Sequence, residues 1–88
     1  MVYIVTYNLG QPTQRYDELL RLIKDCARWA RLSQSSYLVV SDLTAVQLRD
    51  RFKAALDGND RLYVGAVKTP AAWTGMPDSV TQWIKKEL

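Results

Sequence analysis

The chain begins with an uninterrupted apolar segment, VYIVTY at residues 2–7, which constrains the fold more than any other feature. Its residues are β-branched or aromatic, and such residues favour a strand. Because polar residues do not alternate along it, we expect this strand to be buried on both faces in the middle of a sheet. Gly10 and Pro12 end it. The rest of the chain must therefore supply neighbouring strands and cover two sheet faces.

Two segments with helical periodicity follow. The first opens at Thr13 or Gln14, and its apolar stripe comprises Tyr16, Leu19, Leu20, Ile23, Cys26 and Ala27. The second is DLTAVQLRDRFKAALDGND, in which Thr44 is the predicted cap and Gln47 stands at the capping-box position. Gly58 is placed to end this second helix, as a C-terminal glycine does.

Three further segments complete the pattern. SYLVVSD and RLYVGAV (61–67) are predicted strands, and RWARL (28–32) either continues the first helix or begins a strand. In the second case Ser33 to Ser35 close a hairpin. After the loop KTPAAWTGMP, Asp78 or Ser79 is expected to cap a short terminal helix. A helix of about ten residues is marginal alone, so it must dock on its own domain or on a second subunit.

This order predicts an α+β, ferredoxin-like βαββαβ fold with a four-stranded antiparallel sheet. Right-handed crossovers place both long helices on one face, and a short C-terminal helix follows. We expect a single domain over residues 1–88, with 69–88 as a C-terminal extension. Because the central strands are apolar on both sides, we expect a second copy to cover the other face, and a homodimer is the default.

The chain contains no histidine and a single cysteine, Cys26. These counts exclude Ser-His-Asp and Cys-His catalysis, structural zinc sites and an internal disulfide. Cys26 lies in the helical stripe and is predicted to belong to the core. Any catalysis must use carboxylates, lysine, tyrosine or a metal ion held by oxygen atoms. A lone cysteine and the lack of a leader or membrane-spanning run predict a cytoplasmic protein without membrane partners.

The stretches YIVTYNL, SSYLVVSDLTAVQLRDRF and AAWTGMPDSVTQWIKKEL resemble the SinR-like small proteins. These are distant relatives of the second CRISPR-associated adaptation protein and of virulence-associated D toxins. The resemblance covers nearly the whole chain. It assigns RWARL to a strand and implies a homodimeric, CRISPR-associated-like protein of a nuclease-containing superfamily.

In the adaptation-protein relatives the first strand ends in an aspartate, and two such aspartates face each other across a dimer to hold a divalent metal. The matching residue here is Asn8, whose neutral carbonyl is a poorer ligand for Mg²⁺ than a carboxylate. A serine common in their central strand is matched by Tyr37. The resemblance thus implies a non-catalytic nucleic-acid- or protein-binding module without a cofactor. The alternative is a metal-dependent endonuclease that uses Mg²⁺ to cleave RNA or DNA.

Antiparallel pairing predicts that Asn8, Ser35, Asp60 and Arg61 lie along one edge of the sheet. Asp60 is the acid expected near Asn8, so these two are the catalytic candidates. Each also has a purely structural interpretation. The sequence DGND is typical of a turn, and the Asn8 side chain is suited to capping the loop at Gly10.

The net charge of +3 allows nucleic-acid contact without requiring it. The predicted phosphate-binding residues on the helix face are Arg15, Arg21, Arg28, Arg31, Arg49 and Lys53. Interspersed acids favour instead an ordinary solvated surface. The aromatic residues assigned to the dimer interface or core, in preference to base stacking, are Trp29, Tyr37, Trp73 and Trp83.

Overall fold

A computed structural model describes residues 1–10 and 16–88. Its four strands form one antiparallel sheet in the order β2-β3-β1-β4, which confirms the predicted ferredoxin-like α+β fold. RWARL lies in a strand, as the resemblance implied. The predicted opening of the first helix at Thr13 or Gln14 lies outside the described residues. The elements are β1 (Val2–Asn8), α1 (Tyr16–Lys24), β2 (Arg28–Ser33), β3 (Ser36–Val40), α2 (Ala45–Lys53), β4 (Arg61–Ala66) and α3 (Asp78–Glu87).

Helices α1 and α2 cover the first face of the sheet. Alternate residues of β1 point towards this face, among them the fully buried Val5. Leu19 and Ile23 from α1 and Phe52 from α2 pack against them and are also fully buried. Cys26 is half-buried against the same cluster, and burial raises the pKa of its thiol. Cys26 thus packs against the core as predicted, but α1 ends at Lys24, so the prediction that its helical stripe continues to Cys26 and Ala27 is wrong.

The second face is covered in part by the C-terminal helix of the same chain. Ile84 of α3 is buried against Val2 and Leu38, and Trp73 and Trp83 pack around them. The Trp73 indole N–H donates a hydrogen bond to the Thr81 hydroxyl at 3.1 Å, which ties the preceding loop to α3. Of the two docking partners left open by the sequence, the helix therefore uses its own domain. Helix α3 thus supplies part of the cover that was expected from a second copy, and the homodimer stays a prediction.

The remainder of the second face is polar or exposed. The Ser36 hydroxyl donates a hydrogen bond to the Thr6 hydroxyl at 3.1 Å across β1 and β3. Beside them Tyr63 is 64% exposed. Its ring lies over Gly65, where a Cβ atom would come within 2.7 Å of the tyrosine Cε1. Gly65 therefore makes room for an aromatic ring on the sheet surface.

Helix α2 begins as predicted and ends earlier than predicted. The Thr44 hydroxyl accepts a hydrogen bond from the Gln47 backbone at 3.1 Å, and the Gln47 side chain accepts one from the Thr44 backbone at 2.9 Å. The capping box is thus confirmed. The helix ends at Lys53 and Ala54 keeps a helical conformation after it. Gly58 lies in the next turn, so the prediction that it ends the helix is wrong.

Helix α3 begins at Asp78 after Pro77, whose φ of −57° and ψ of 153° lead the chain into the first turn. No side chain caps this helix, so the prediction that Asp78 or Ser79 caps it is wrong. Pro77 occupies the N-cap position, and its side chain has no oxygen to accept a hydrogen bond from the N–H groups of the first turn.

None of the helices in the described ranges combines the length and the apolar character that crossing a bilayer requires.

Candidate functional site

The residues that the antiparallel register predicts to lie at one end of the strands do lie there. Asn8 pairs with Arg61 across β1 and β4, and the Tyr7 backbone N–H donates a hydrogen bond to the Ser35 carbonyl at 3.1 Å. Asp60 directly precedes β4 and lies at the same edge. Simple antiparallel pairing was therefore enough to bring these residues together.

The carboxylate of Asp60 holds two loops together. One of its oxygens accepts a hydrogen bond from the Gly10 backbone at 2.7 Å, and the other accepts one from the Asp57 backbone at 2.9 Å. The loops approach so closely that a Cβ atom at Gly10 would lie 2.7 Å from the Asn59 Cβ. Asp60, and not Asn8, thus binds the loop backbone at Gly10. The turn interpretation of DGND accounts for these contacts.

The residues present do not fit a divalent metal ion. Both Asp60 oxygens already accept hydrogen bonds from backbone amides. Asn8 offers only a neutral amide, which is a weak ligand for a hard cation. In the described ranges, histidine, cysteine, aspartate and glutamate side chains form no group of three or more that could hold a metal. No catalytic step through a metal can therefore be built on Asn8 and Asp60 of one chain.

A groove of 910 Å³ lies beside this edge, between α1 and the β2–β3 hairpin, and we call it the tyrosine groove. Three tyrosines and two cations contribute to its lining, and among the described residues that line it none is acidic. These residues are Tyr7, Asn8, Leu9, Tyr16, Leu20, Lys24, Arg31, Gln34, Ser35 and Tyr37.

The tyrosine hydroxyls are held by the hairpin. Tyr7 and Tyr16 both donate hydrogen bonds to the Gln34 carbonyl, at 3.2 and 3.3 Å. Their rings are 6.2 Å apart and tilted, a favourable aromatic geometry. Burial raises the pKa of Tyr7 and of Tyr37, and Arg31 partly opposes both shifts. Both phenols therefore stay protonated at neutral pH.

The two cations of the groove lie on exposed side chains. The Lys24 ammonium is 5.0 Å from the centre of the Trp29 ring, a cation–π contact. Trp29 in turn packs at a tilt on Tyr37, with 6.0 Å between the ring centres. The Arg31 guanidinium donates a hydrogen bond to the Ser33 carbonyl at 3.2 Å. Positive charge and an exposed aromatic ring thus meet at the β2 side of the groove.

The other predicted phosphate-binding residues are dispersed. Arg28 pairs with Glu87 at 2.7 Å, and Arg49 pairs with Asp50 at 2.9 Å. Arg21 and Lys53 are exposed on α1 and α2, and Arg15 lies outside the described residues. Of the described members of the predicted set, Arg31 alone lines the tyrosine groove, where it is joined by Lys24.

The predicted interface aromatics also separate. Tyr37 is 2% exposed in the core of its own chain, so it offers a second subunit no surface. Trp73 and Trp83 pack in the cluster under α3, which accounts for their partial burial. Trp29 is 38% exposed and remains open to a partner.

Sequence reasoning missed the tyrosines as a group. Tyr7 was assigned to a strand and Tyr16 to an apolar helix stripe, and both assignments concerned packing. Their hydroxyls meet only because the β2–β3 hairpin presents the Gln34 carbonyl to both rings. No local spacing in the sequence predicts that the two hydroxyls share this acceptor.

No protein-family model matches the chain, and no curated protein matches it. Among solved structures it is similar to a hypothetical protein from Thermus thermophilus, TT1823, with 26% identity and a TM-score of 0.67. The match covers 85% of this chain and 90% of that one. This similarity supports the fold, and the description of the Thermus thermophilus protein states no activity.

Proposed function

We propose that the protein is a non-catalytic, homodimeric binding module that holds a nucleic acid by its phosphates at the tyrosine groove. The observation that carries the proposal is the lining of the groove. Lys24 and Arg31 supply positive charge there, and no acid is among the described lining residues. Hydroxyl and amide groups supply further polar contacts.

The position of Trp29 supports a nucleic acid over an isolated anion. Its ring is exposed next to both cations, on the same strand as Arg31. Bases stack on such rings while neighbouring cations neutralise the backbone. Binding of this kind is salt-dependent and weakly sequence-specific. The environment of Asp60, whose carboxylate is engaged by backbone amides, supports a binding role without catalysis.

The test is equilibrium binding to labelled single- and double-stranded RNA and DNA over a range of salt concentrations. We expect loss of both groove cations, Lys24→Ala with Arg31→Ala, to weaken binding at least about tenfold and to reduce the salt slope by about 1.8. The matched control is Lys85→Ala with Lys86→Ala, which removes equal charge from exposed residues of α3, on the opposite sheet face.

If the two double variants lose the same oligonucleotide affinity, binding is general electrostatic attraction and the proposal that it occurs at the groove is wrong. If the wild-type chain binds no oligonucleotide, a protein partner is the remaining choice. Parallel incubations with Mg²⁺ or Mn²⁺ address the nuclease alternative. Cleavage that is lost in Asp60→Ala and kept in Asn8→Ala would establish an enzyme and overturn the non-catalytic assignment.

A further inference from the structure

Strand β4 is an edge strand whose outward hydrogen-bonding groups can be identified from the register. The Val67 backbone N–H donates to the Val2 carbonyl at 2.9 Å, so the Val2–Val67 pair is hydrogen-bonded. Antiparallel ladders alternate, and therefore Gly65, Tyr63 and Arg61 also bond to β1. The backbone groups that point away from the sheet are those of Leu62, Val64 and Ala66.

Nothing in β4 protects this outward edge. Its pairing with β1 is regular over the whole strand, without a bulge. The residues from Leu62 to Ala66 include neither a proline nor a charge. In the described part of the chain, no hydrogen bond reaches the outward backbone groups of Leu62, Val64 or Ala66. Unprotected regular edges are templates for pairing with another strand.

We propose that β4 pairs antiparallel with β4 of a second copy of this chain, about a two-fold axis at Val64. The inference rests on the homodimer that is part of the proposed function, and it assigns that homodimer a surface. In this register Val64 faces its own counterpart and Leu62 faces Ala66 of the second copy. Every outward backbone group of these residues then gains a partner, and two four-stranded sheets become one.

The side chains of β4 complement themselves in this register. On the first face, Leu62, Val64 and Ala66 form apolar cross-strand pairs. On the second face, Tyr63 stands opposite Gly65 of the second copy, and each exposed Tyr63 ring keeps its place over the Gly65 of its own chain. The axis at Val64 is the arrangement in which this apolar triplet overlaps itself completely.

The charges that flank the strand favour a second copy as the occupant. Beyond the paired residues, Asp60 stands opposite Lys68 of the second copy, and Arg61 stands opposite Val67. Unlike charges are thus neighbours at both ends of the pairing, while no like charges are opposed. A two-residue shift moves Asp60 opposite Ala66, or Lys68 opposite Leu62, and loses this match.

The test is a cysteine placed on the axis. In a Cys26→Ser background, Val64→Cys should form a disulfide-linked dimer under mild oxidation, because a hydrogen-bonded antiparallel pair has its Cα atoms about 5.5 Å apart. The control is Ala66→Cys in the same background. Its two copies would be offset by four residues, roughly 13 Å along the strand, and should not link.

A second variant tests the backbone bonds. Val64→Pro removes an outward N–H that β1 does not use, and we expect it to raise the dimer dissociation constant at least about tenfold in analytical ultracentrifugation. Circular dichroism checks that the variant folds, and the cysteine pair decides the question if it does not.

The outcomes separate the two proposals. A wild-type chain that is monomeric at micromolar concentration would overturn this inference and the homodimer in the proposed function. A wild-type dimer that links through Ala66→Cys, or through neither cysteine, would overturn only the β4 pairing. Linking through Val64→Cys alone would establish it, whatever the oligonucleotide assays show.

Discussion

The two edge strands of the sheet have opposite characters. Strand β2 is irregular, with a register shift between Arg31 and Ser33, and it carries arginines and an exposed tryptophan. Helices α1 and α3 both pack against it. Strand β4 pairs regularly with β1, and its central residues are uncharged. One edge is thus protected by charge, a bulge and helices on both faces, while the other has α2 on its first face and neither charge nor bulge along its centre.

This contrast shows that the two edge strands of one sheet can be adapted to different partners. A charged, irregular edge discourages strand pairing and is suited to a solvated polyanion. A regular apolar edge is suited to another strand. Our two proposals follow this division, with the nucleic acid at the β2 side and the second copy at the β4 side.

The largest effect is expected where α3 supports the β2 side of the sheet. Ile84 is 4% exposed against Val2 and Leu38, so Ile84→Ala should lower the free energy of unfolding by about 3 kcal/mol. Urea denaturation measures the change, and the exposed neighbour Lys85→Ala serves as the control. An Ile84→Ala variant as stable as wild type would show that α3 does not support this side, and the contrast between the edges would lose one of its causes.

The next effect concerns the beginning of β4. Asp60→Ala removes the carboxylate that binds the Gly10 and Asp57 backbones, and we expect a loss of about 2 kcal/mol, since hydrogen bonds to a charged group are the stronger kind. Asn8→Ala, at the same sheet edge, should change stability by no more than about 0.5 kcal/mol. Thermal denaturation of both variants compares them. The reverse ranking would mean that Asn8, and not Asp60, holds the loop.

A smaller effect is expected from the exposed ring at the β2 edge. Trp29→Ala should weaken binding of a single-stranded oligonucleotide about tenfold, because stacking on one base is worth about 1–3 kcal/mol. Trp29→Phe should retain most of the affinity. Tyr63→Ala removes the exposed ring near the β4 edge and should leave oligonucleotide affinity unchanged. If the Tyr63 variant loses as much affinity as the Trp29 variant, the division of tasks between the edges is wrong.

The smallest effect concerns the ion pair that joins β2 to α3. The side chain of Arg28 is 54% exposed and that of Glu87 is 9% exposed. A double-mutant cycle with Arg28→Ala and Glu87→Gln should give a coupling of about 0.5 kcal/mol that decreases in high salt. A coupling several times larger, insensitive to salt, would make electrostatics a main support of the β2 side.

The sequence predicts those parts of the fold that depend on local pattern. The apolar run of β1 and the Thr44–Gln47 capping box are examples, since each depends on near neighbours in the chain. The stripe on α3 predicted that this helix must bury an apolar side. It could not choose between its own sheet and a second subunit, because periodicity describes a face and not what the face meets.

The candidate site was less predictable for the same reason. Register placed Asp60 near Asn8 correctly. Yet the contact that determines the role of Asp60, its bond to the Gly10 backbone, joins residues fifty positions apart. The tyrosine groove likewise combines side chains from both central strands, a helix and a hairpin. Such combinations follow from tertiary packing, which local propensities do not encode.

The commitment of Asp60 to the loops has a consequence for anyone who would engineer cleavage into this scaffold. Restoring an acid at the end of the first strand, Asn8→Asp, would add one carboxylate, and a role for Asp60 as a second ligand would compete with the two amides that it holds in the loops. Metal-dependent cleavage would therefore require further acidic residues at other positions, in addition to the substitution at residue 8.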